Sequence, residues 1–544
     1  MLGGNFYFQE KQYKNWYTIY MPWYRNAKLF FTKYWWIITY VIVIFFAVGL
    51  ATAFQALPTF PDPDSFYHAK ISMMIPQEGV LRSFPWLQAS VLKDSYIDQH
   101  YLYHVFLIPF VYLFDPLVGA KFANVILTTA LIVLFYWMLR RYQVKFAFLY
   151  TFILMVTMPF MFRVNLIKAP AVSIIFLLVG IHLIFQYRYL LLFVLSFFYV
   201  WAYGGFILII IFAGLYALVS IVYDWLRGLS HRPFFVIMGH SREVRLFFIS
   251  VAGIVSGLII NPYFPKNLVF YWNQLVKIGI VNYQSIISVG NEWYPYKFAD
   301  LTAGTAVVTI VLLIALYLFI AHYKRISKKS ITLFLIFIFF FAFTLKSRRY
   351  VEYYIPFAIL FEAFAINQLA GRYSWHTVGE AIKRFYSNNR IVATILGVYF
   401  LITFPALIGK DFQSTYRDFQ NGIPLNRFEA VAERLQEESE PGDIVFHSSW
   451  DEFPILFYYN SSNYYIAGLD PTFTYEYDQA LYHKMVDITI GTQTDNLYED
   501  IQGEFGASYV LVEISHEAME RNIEQDGGFQ EIYRDTDAIL YKVL

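Results

Sequence analysis

The chain contains no cysteine, which excludes disulfides, cysteine-ligated metal sites and thiol catalysis. Charge is scarce as well: Asp, Glu, Lys and Arg make up 15% of its 544 residues, against 58% hydrophobic and 21% aromatic residues. That balance excludes a soluble protein with a large core and implies an integral membrane protein. No P-loop, GxGxxG fingerprint, internal repeat or low-complexity tract is present, so no nucleotide cofactor and no ATP-driven transport is expected. What the chain has in abundance is 46 Tyr, 56 Phe and 12 Trp, side chains suited to anchoring at the level of lipid headgroups.

The formal net charge of +1 conceals a division. Residues 411–544 carry 26 acidic against 7 basic residues, which leaves the first 410 basic by about +20. The acidic tail is polar and without long apolar runs, so it reads as a soluble domain, and its charge excludes nucleic acid as a partner. The expected division is a multi-span membrane domain over 1–409, with outer loops 55–118 and 262–301, followed by an extracytoplasmic soluble domain over 410–544.

Runs long enough to cross a bilayer lie near 36–54, 119–139, 145–162, 169–187, 189–204, 205–225, 246–263, 302–322, 331–346, 353–371 and 391–409, which predicts about eleven transmembrane helices. The first is preceded by Lys11, Lys14, Arg25, Lys28 and Lys33 and followed by no small-residue cleavage site, as in an uncleaved signal anchor. Loops carrying Arg140, Arg141, Arg188, the 227–245 segment, Lys324 to Lys329 and Arg372 to Arg390 alternate to one face. Their basic excess puts that face and the N-terminus in the cytoplasm and the C-terminal domain outside. In the tail, helical periodicity over Phe428–Glu438 and strand patterns at Asp443–His447, Tyr509–Glu513 and Ile539–Val543 predict a small α/β fold. The apolar but short stretch Leu102–Phe114 reads as a helix lying along the interface.

Three clusters on the outer face carry candidate chemistry. Asp62, Asp64 and His68, just past the first span, are followed by Asp94, Asp98, His100 and His104, a density of oxygen and imidazole ligands that suits Mg²⁺ or Mn²⁺. Asp before a helical run is also a favoured cap, so Pro61-Asp62-Pro63-Asp64 has that second reading. Glu292 lies in Ser288-Val289-Gly290-Asn291-Glu292-Trp293-Tyr294-Pro295, inside a connection far longer than usual. Arg348 and Arg349, with Lys346 and Glu352, sit at the outer end of a span. There they would clamp a diphosphate or bind headgroups, and Arg163 and Lys168 raise the same two possibilities.

Taken together, these residues resemble the catalytic-subunit family of oligosaccharyltransferases, of the archaeal and bacterial single-subunit type. That family lies within the GT-C superfamily of glycosyltransferases with polyprenol-linked donors. Asp64-Ser65-Phe66-Tyr67-His68 resembles the Asp-x-(Tyr/Phe)-Tyr-His segment after the first span, and Glu292-Trp293-Tyr294-Pro295 the outer-loop motif with Glu three positions before Pro. Ser449-Trp450-Asp451 resembles the Trp-Trp-Asp motif of the soluble domain, without its first Trp. Where the family places two acids after an Arg in the second outer loop, this chain has Arg163 followed by Pro170 and Val172.

The resemblance implies a GT-C-type polytopic α-helical membrane protein that transfers a glycan or sugar from a polyprenyl-(pyro)phosphate to an extracytoplasmic acceptor, a protein asparagine among the candidates. It implies Asp64 and Glu292 as catalytic residues holding Mg²⁺ or Mn²⁺, with Asp98 and His100 expected to replace the missing acids. Arg163, Arg348 and Arg349 would bind the donor phosphate, and Trp450 and Asp451 the peptide or glycan acceptor. The alternative within enzymes is a monosaccharide transferase using a polyprenyl-monophosphate-sugar and a lipid or glycan acceptor. Outside enzymes it is a transporter or polymer exporter, disfavoured by the near absence of ionisable residues in the middles of the spans. Asn460-Ser461-Ser462 also fits the N-glycosylation acceptor pattern.

Overall fold

The computed structural model describes residues 34, 36–227, 241–281, 283–370 and 375–544. The basic N-terminal arm, Arg372 and most of the 227–245 segment lie outside the described residues. Each apolar run expected to cross a bilayer falls on helix, but the runs differ in length. Among the described residues five helices are long and apolar enough to cross: Trp36–Gln55, Pro116–Arg141, Ile207–Leu226, Lys328–Lys346 and Arg390–Gln420. The number rises to at most seven when the bent pairs Ala147–Val156 with Met158–Asn165 and Phe298–Gly304 with Ala306–Ala321 each count as one span. Pro170–Phe185 and Tyr189–Ala202 are shorter apolar helices. Sixteen residues of helix reach only about 24 Å, short of a hydrocarbon core of about 30 Å.

The breaks have local causes. The 72° bend after Val156 falls where Pro159 enters the first turn of the next helix, a position that tolerates proline because that amide has no helical partner. The short helix so formed ends at Asn165, with Arg163 in its last turn. Pro170 likewise opens the following helix, so residues 166–169 form a non-helical connection that carries Lys168.

The C-terminal part contains a mixed sheet. Two short strands, β1 (Thr59–Phe60) and β2 (Ile423–Pro424), pair antiparallel. The larger sheet comprises β3 (Ile444–His447), β4 (Tyr464–Tyr465), β5 (Ala507–Glu513), β6 (Phe529–Arg534) and β7 (Ala538–Val543), in the order β4-β3-β5-β7-β6. The β3 strand is parallel to β4 and β5, while β7 runs antiparallel to β5 and β6. Val510, Leu511, Val512, Ile539 and Leu540 are fully buried at its centre.

Loop and sheet are tied together. After the Asp64–Glu78 helix the chain runs along the edge of β4, where the Gln88 amide donates to Tyr465 O at 2.8 Å and the Trp86 indole to Ser461 O at 2.7 Å. Phe66 packs edge-on against Phe60 and Tyr458, and Lys70 donates to Tyr458 O at 3.1 Å. The connection around Glu292 is held in the same way: Trp293, Val289 and Ile287 share an apolar cluster with Phe446, Ile466 and Val510. Both acid-bearing loops are thus packed against the sheet.

Candidate active site

Asp62 and Asp64 stand at the start of the Asp64–Glu78 helix, in different roles. Asp62 accepts the amide of Asp64 at 2.9 Å through Oδ1, the short-range bond expected of a carboxylate closing a helix start. Asp62 stands one residue before Pro63, the cap position, and its side chain closes the turn that leads into the helix. The Oδ2 atoms of both residues meet one cation, the ammonium of Lys168, at 2.7 and 2.8 Å. Burial pushes Asp62 up to about 6, a rise that Lys168 limits and Asp64 reinforces. Burial draws Lys168 down, but Asp62 and Asp64 outweigh it and hold the ammonium protonated above its usual range.

Beside this trio lies a second set of charges. Arg163 donates from Nη1 to Glu292 Oε2 at 2.6 Å and from Nε to Glu352 Oε2 at 2.8 Å. Arg349 approaches the other Glu292 oxygen at 3.5 Å, with its guanidinium 4.2 Å over the ring of Trp293. Burial pushes Glu292 up, yet Arg163, Arg349 and Lys168 together hold it well below the usual carboxylate range. The turn is pinned by Ser347, whose hydroxyl donates to Glu292 O at 2.8 Å, and by the Arg348 amide, which donates to Tyr294 O at 3.0 Å. The sequence groups Glu352 with Arg349 without giving it a role; here it is the second partner of Arg163.

Arg163 also has an unused donor. It is 7% exposed, and its Nη2 has no hydrogen-bond partner among the described residues. A buried N–H without an acceptor costs about 1–3 kcal/mol, so this atom calls for a ligand oxygen.

Other expected site residues lie apart. Arg348 is exposed and donates to Pro295 O at 3.4 Å. Asp98 is 4% exposed, and both its oxygens are engaged: Oδ1 accepts the His100 amide at 2.9 Å and Oδ2 the His104 Nδ1 group at 2.7 Å. His104 Nε2 in turn meets His68 Nδ1 at 2.7 Å. Burial and His104 push His100 down to about 3, and its ring lies 5.5 Å from that of Tyr203. Asp98 thus heads a buried Asp98–His104–His68 chain, while the His100 ring, whose Nδ1 has no hydrogen-bond partner among the described residues, lies within electrostatic reach of Arg349 and Lys168.

The expected Mg²⁺ or Mn²⁺ is tested by its donor set. A divalent ion takes carboxylate oxygens that are not already paired with other cations. Here one oxygen of Asp62 and one of Asp64 share an ammonium, and both oxygens of Glu292 face guanidinium groups. Adding a doubly charged ion some 4 Å from the ammonium would cost roughly 8 kcal/mol of repulsion at an effective dielectric near 20. With Lys168, Arg163 and Arg349 in these positions, the paired carboxylate oxygens are not free for the ion. Among the described residues, the group of three acid or imidazole ligands within reach of one another is Glu452, Glu513 and His516. It lies in the C-terminal part, where Glu513 is also paired with Arg427 at 2.7 Å.

Trp450 is half-buried and packs beside the turn of Glu292, so that a Cβ at Gly290 would stand 3.9 Å from its ring. Asp451 is exposed and adds to the negative field at Glu513. The structure therefore brings Trp450, but not Asp451, to the charged centre. Asn460 is 1% exposed and donates to Asn463 Oδ1 at 2.7 Å, so the tripeptide it opens is not presented as a modification site.

Solved structures share the fold that carries this centre. No protein-family model and no curated protein matches the chain. Solved structures do. The oligosaccharyltransferase AglB of Archaeoglobus fulgidus, in complex with an inhibitory peptide and a dolichol-phosphate, superposes with a TM-score of 0.57 at 13% identity, over 94% of this chain and 75% of that one. ArnT of Cupriavidus metallidurans bound to undecaprenyl phosphate superposes with a TM-score of 0.53 at 14% identity, over 93% of this chain and 98% of that one. The chain shares the fold of these two structures. The apo form of the same ArnT agrees, with a TM-score of 0.50. At such identity the likeness is one of fold, and the charged centre has to be read from this chain's own residues.

Proposed function

We propose that the protein is a GT-C glycosyltransferase that takes a sugar or glycan from a polyprenyl phosphate or pyrophosphate and passes it to an extracytoplasmic acceptor. The observation that carries this reading is the unpartnered Nη2 of buried Arg163, set between Glu292 and Glu352 and near Arg349 and Lys168. A guanidinium donor with nothing to bind, in a group of cations at the ends of apolar helices, matches the phosphate of a lipid carrier whose tail stays in the bilayer. The lipid phosphates bound to the two fold relatives are of the same chemical class.

The chemistry follows from charge. An acceptor oxygen or nitrogen attacks the anomeric carbon, the bond from that carbon to the phosphate oxygen breaks, and the electron pair leaves on the phosphate. Arg163, Arg349 and Lys168 stabilise the charge that develops there, which is where preorganised electrostatics contribute most. Asp64 receives the acceptor's proton: its side chain is 29% exposed against 19% for Asp62, and Asp62 is engaged in closing the helix start. Trp450 offers an apolar surface beside the Glu292 turn for the acceptor.

A monosaccharide donor with a lipid or glycan acceptor is the second reading. The exposure of Asp451 and its closeness to the acid Glu513 favour it, because such a carboxylate is poorly placed to grip a peptide hydroxyl. The deciding experiment uses full-length protein in lipid nanodiscs and undecaprenyl or dolichyl phosphate as the probe. Wild type is expected to bind the lipid phosphate, with affinity at least about tenfold weaker in Arg163→Met and in Arg349→Gln, since a lost charged hydrogen bond is worth about 1.5–3 kcal/mol. Equal binding by all three proteins would overturn the assignment. Transfer assays with a sequon peptide or a glycolipid as acceptor then separate the two readings.

A further inference from the structure

We propose that the ammonium of Lys168 is the resident cation of this centre, bridging Asp62 and Asp64 where a divalent ion would otherwise sit, so that transfer proceeds without a divalent metal. The inference deepens the glycosyltransferase reading and rests on it for the transfer step alone; the occupancy of the carboxylates is a separate matter with its own measurement.

The first support is geometric. One Nζ lies 2.7 Å from Asp62 Oδ2 and 2.8 Å from Asp64 Oδ2, and an ammonium donates in three directions. Two donors meet the carboxylates and a third remains for a phosphate oxygen. The Lys168 side chain is 13% exposed, and its backbone is fixed by the 166–169 connection, in which the Lys168 amide donates to Leu166 O at 2.8 Å. Pro170 closes that connection by opening the next helix.

The second support is the charge inventory. The centre contains four carboxylates, on Asp62, Asp64, Glu292 and Glu352, and three fixed cations, on Lys168, Arg163 and Arg349. Each of these carboxylates already faces a cation of the chain, and an arriving phosphate meets guanidinium and ammonium donors directly.

The test is metal binding by the purified full-length protein, read by electron paramagnetic resonance of Mn²⁺ alone. The background variant Glu452→Gln removes the trio with Glu513 and His516 from the reading. In that background, the protein with Lys168 intact is expected to bind no Mn²⁺ that depends on Asp64, and treatment with a chelator should leave its melting temperature unchanged. Lys168→Ala is expected to gain one equivalent of Mn²⁺, lost again on adding Asp64→Asn. Lys168→Arg, which keeps the charge, should gain none and covers the case in which Lys168→Ala does not fold. Mn²⁺ bound with Lys168 intact and abolished by Asp64→Asn would overturn the proposal, as would a well-folded Lys168→Ala that gains no site. Loss of lipid-phosphate binding in Arg163→Met reports on the glycosyltransferase reading independently of either result.

Discussion

Arg163 and Glu352 lie 189 positions apart in sequence and meet as a buried ion pair, Nε to Oε2 at 2.8 Å. Glu352 is 0% exposed, so the pair joins the short helix before Lys168 to the helix after Arg349 in a setting where neither charge can fall back on water. Breaking such a pair on one side typically costs about 3–5 kcal/mol. Arg163→Met should therefore lower the melting temperature markedly, and adding Glu352→Gln should restore part of the loss. A double-mutant cycle on thermal unfolding measures the coupling, and strict additivity would show that the two groups do not act as a pair.

Asp62 gives a pH signature. Its carboxyl is raised to about 6 in the folded protein by burial, against about 4 for an unperturbed Asp. Between those values the native state binds more protons than the unfolded one, so stability is highest below the window and declines as pH rises through it. Asp62→Asn should flatten the dependence of the melting temperature on pH between about 4 and 6. An unchanged slope would place the titration elsewhere.

The Asp98–His104–His68 chain is expected to be structural. Asp98→Asn replaces a carboxylate that accepts from His104 and from the His100 amide, and should destabilise the protein by about 2–3 kcal/mol, the range for a lost hydrogen bond to a charged group. Mn²⁺ uptake in the Lys168→Ala background should be the same with and without Asp98→Asn. Loss of that uptake would return Asp98 to the ligand set.

Trp450 and Asp451 separate by function. Trp450→Ala should raise the acceptor KM several-fold with little change in donor binding, because the ring stands beside Gly290 at the mouth of the centre. Asp451→Ala should leave both constants close to wild type. Steady-state kinetics with varied acceptor checks the pair, and equal effects of the two substitutions would contradict the geometry.

Much of the layout was legible in the sequence because it is written in local periodicity. Every predicted span fell on helix, the Gly204–Gly205 division falls between two helices, and the three expected tail strands are β3, β5 and β7. The short strands β4 and β6 were missed, since Tyr464–Tyr465 is too brief to alternate and the charged residues of Phe529–Arg534 mask its pattern. At the site, Asp64, Glu292, Arg163 and Arg349 are close to one centre, whereas the role of Lys168 was not foreseen. A lysine near a membrane end ordinarily suggests headgroup contact. That both aspartates spend an oxygen on it depends on the bend at Pro159 and the turn before Pro170, which no pairwise spacing in the sequence reveals.

The β1–β2 ladder carries a mechanical consequence. Thr59 and Phe60 pair with Pro424 and Ile423, the Thr59 hydroxyl donates to Phe419 O, and the Lys121 ammonium grips Thr59 O at 2.7 Å from a neighbouring helix. The strand that sets the height of Asp62 is therefore the seam at which the last long helix hands over to the C-terminal sheet. Two halves expressed as separate polypeptides, cut near residue 410, would have to rebuild that seam by bimolecular docking. Force applied to the sheet by an engaged acceptor is delivered two residues from the nearest catalytic-centre carboxylate.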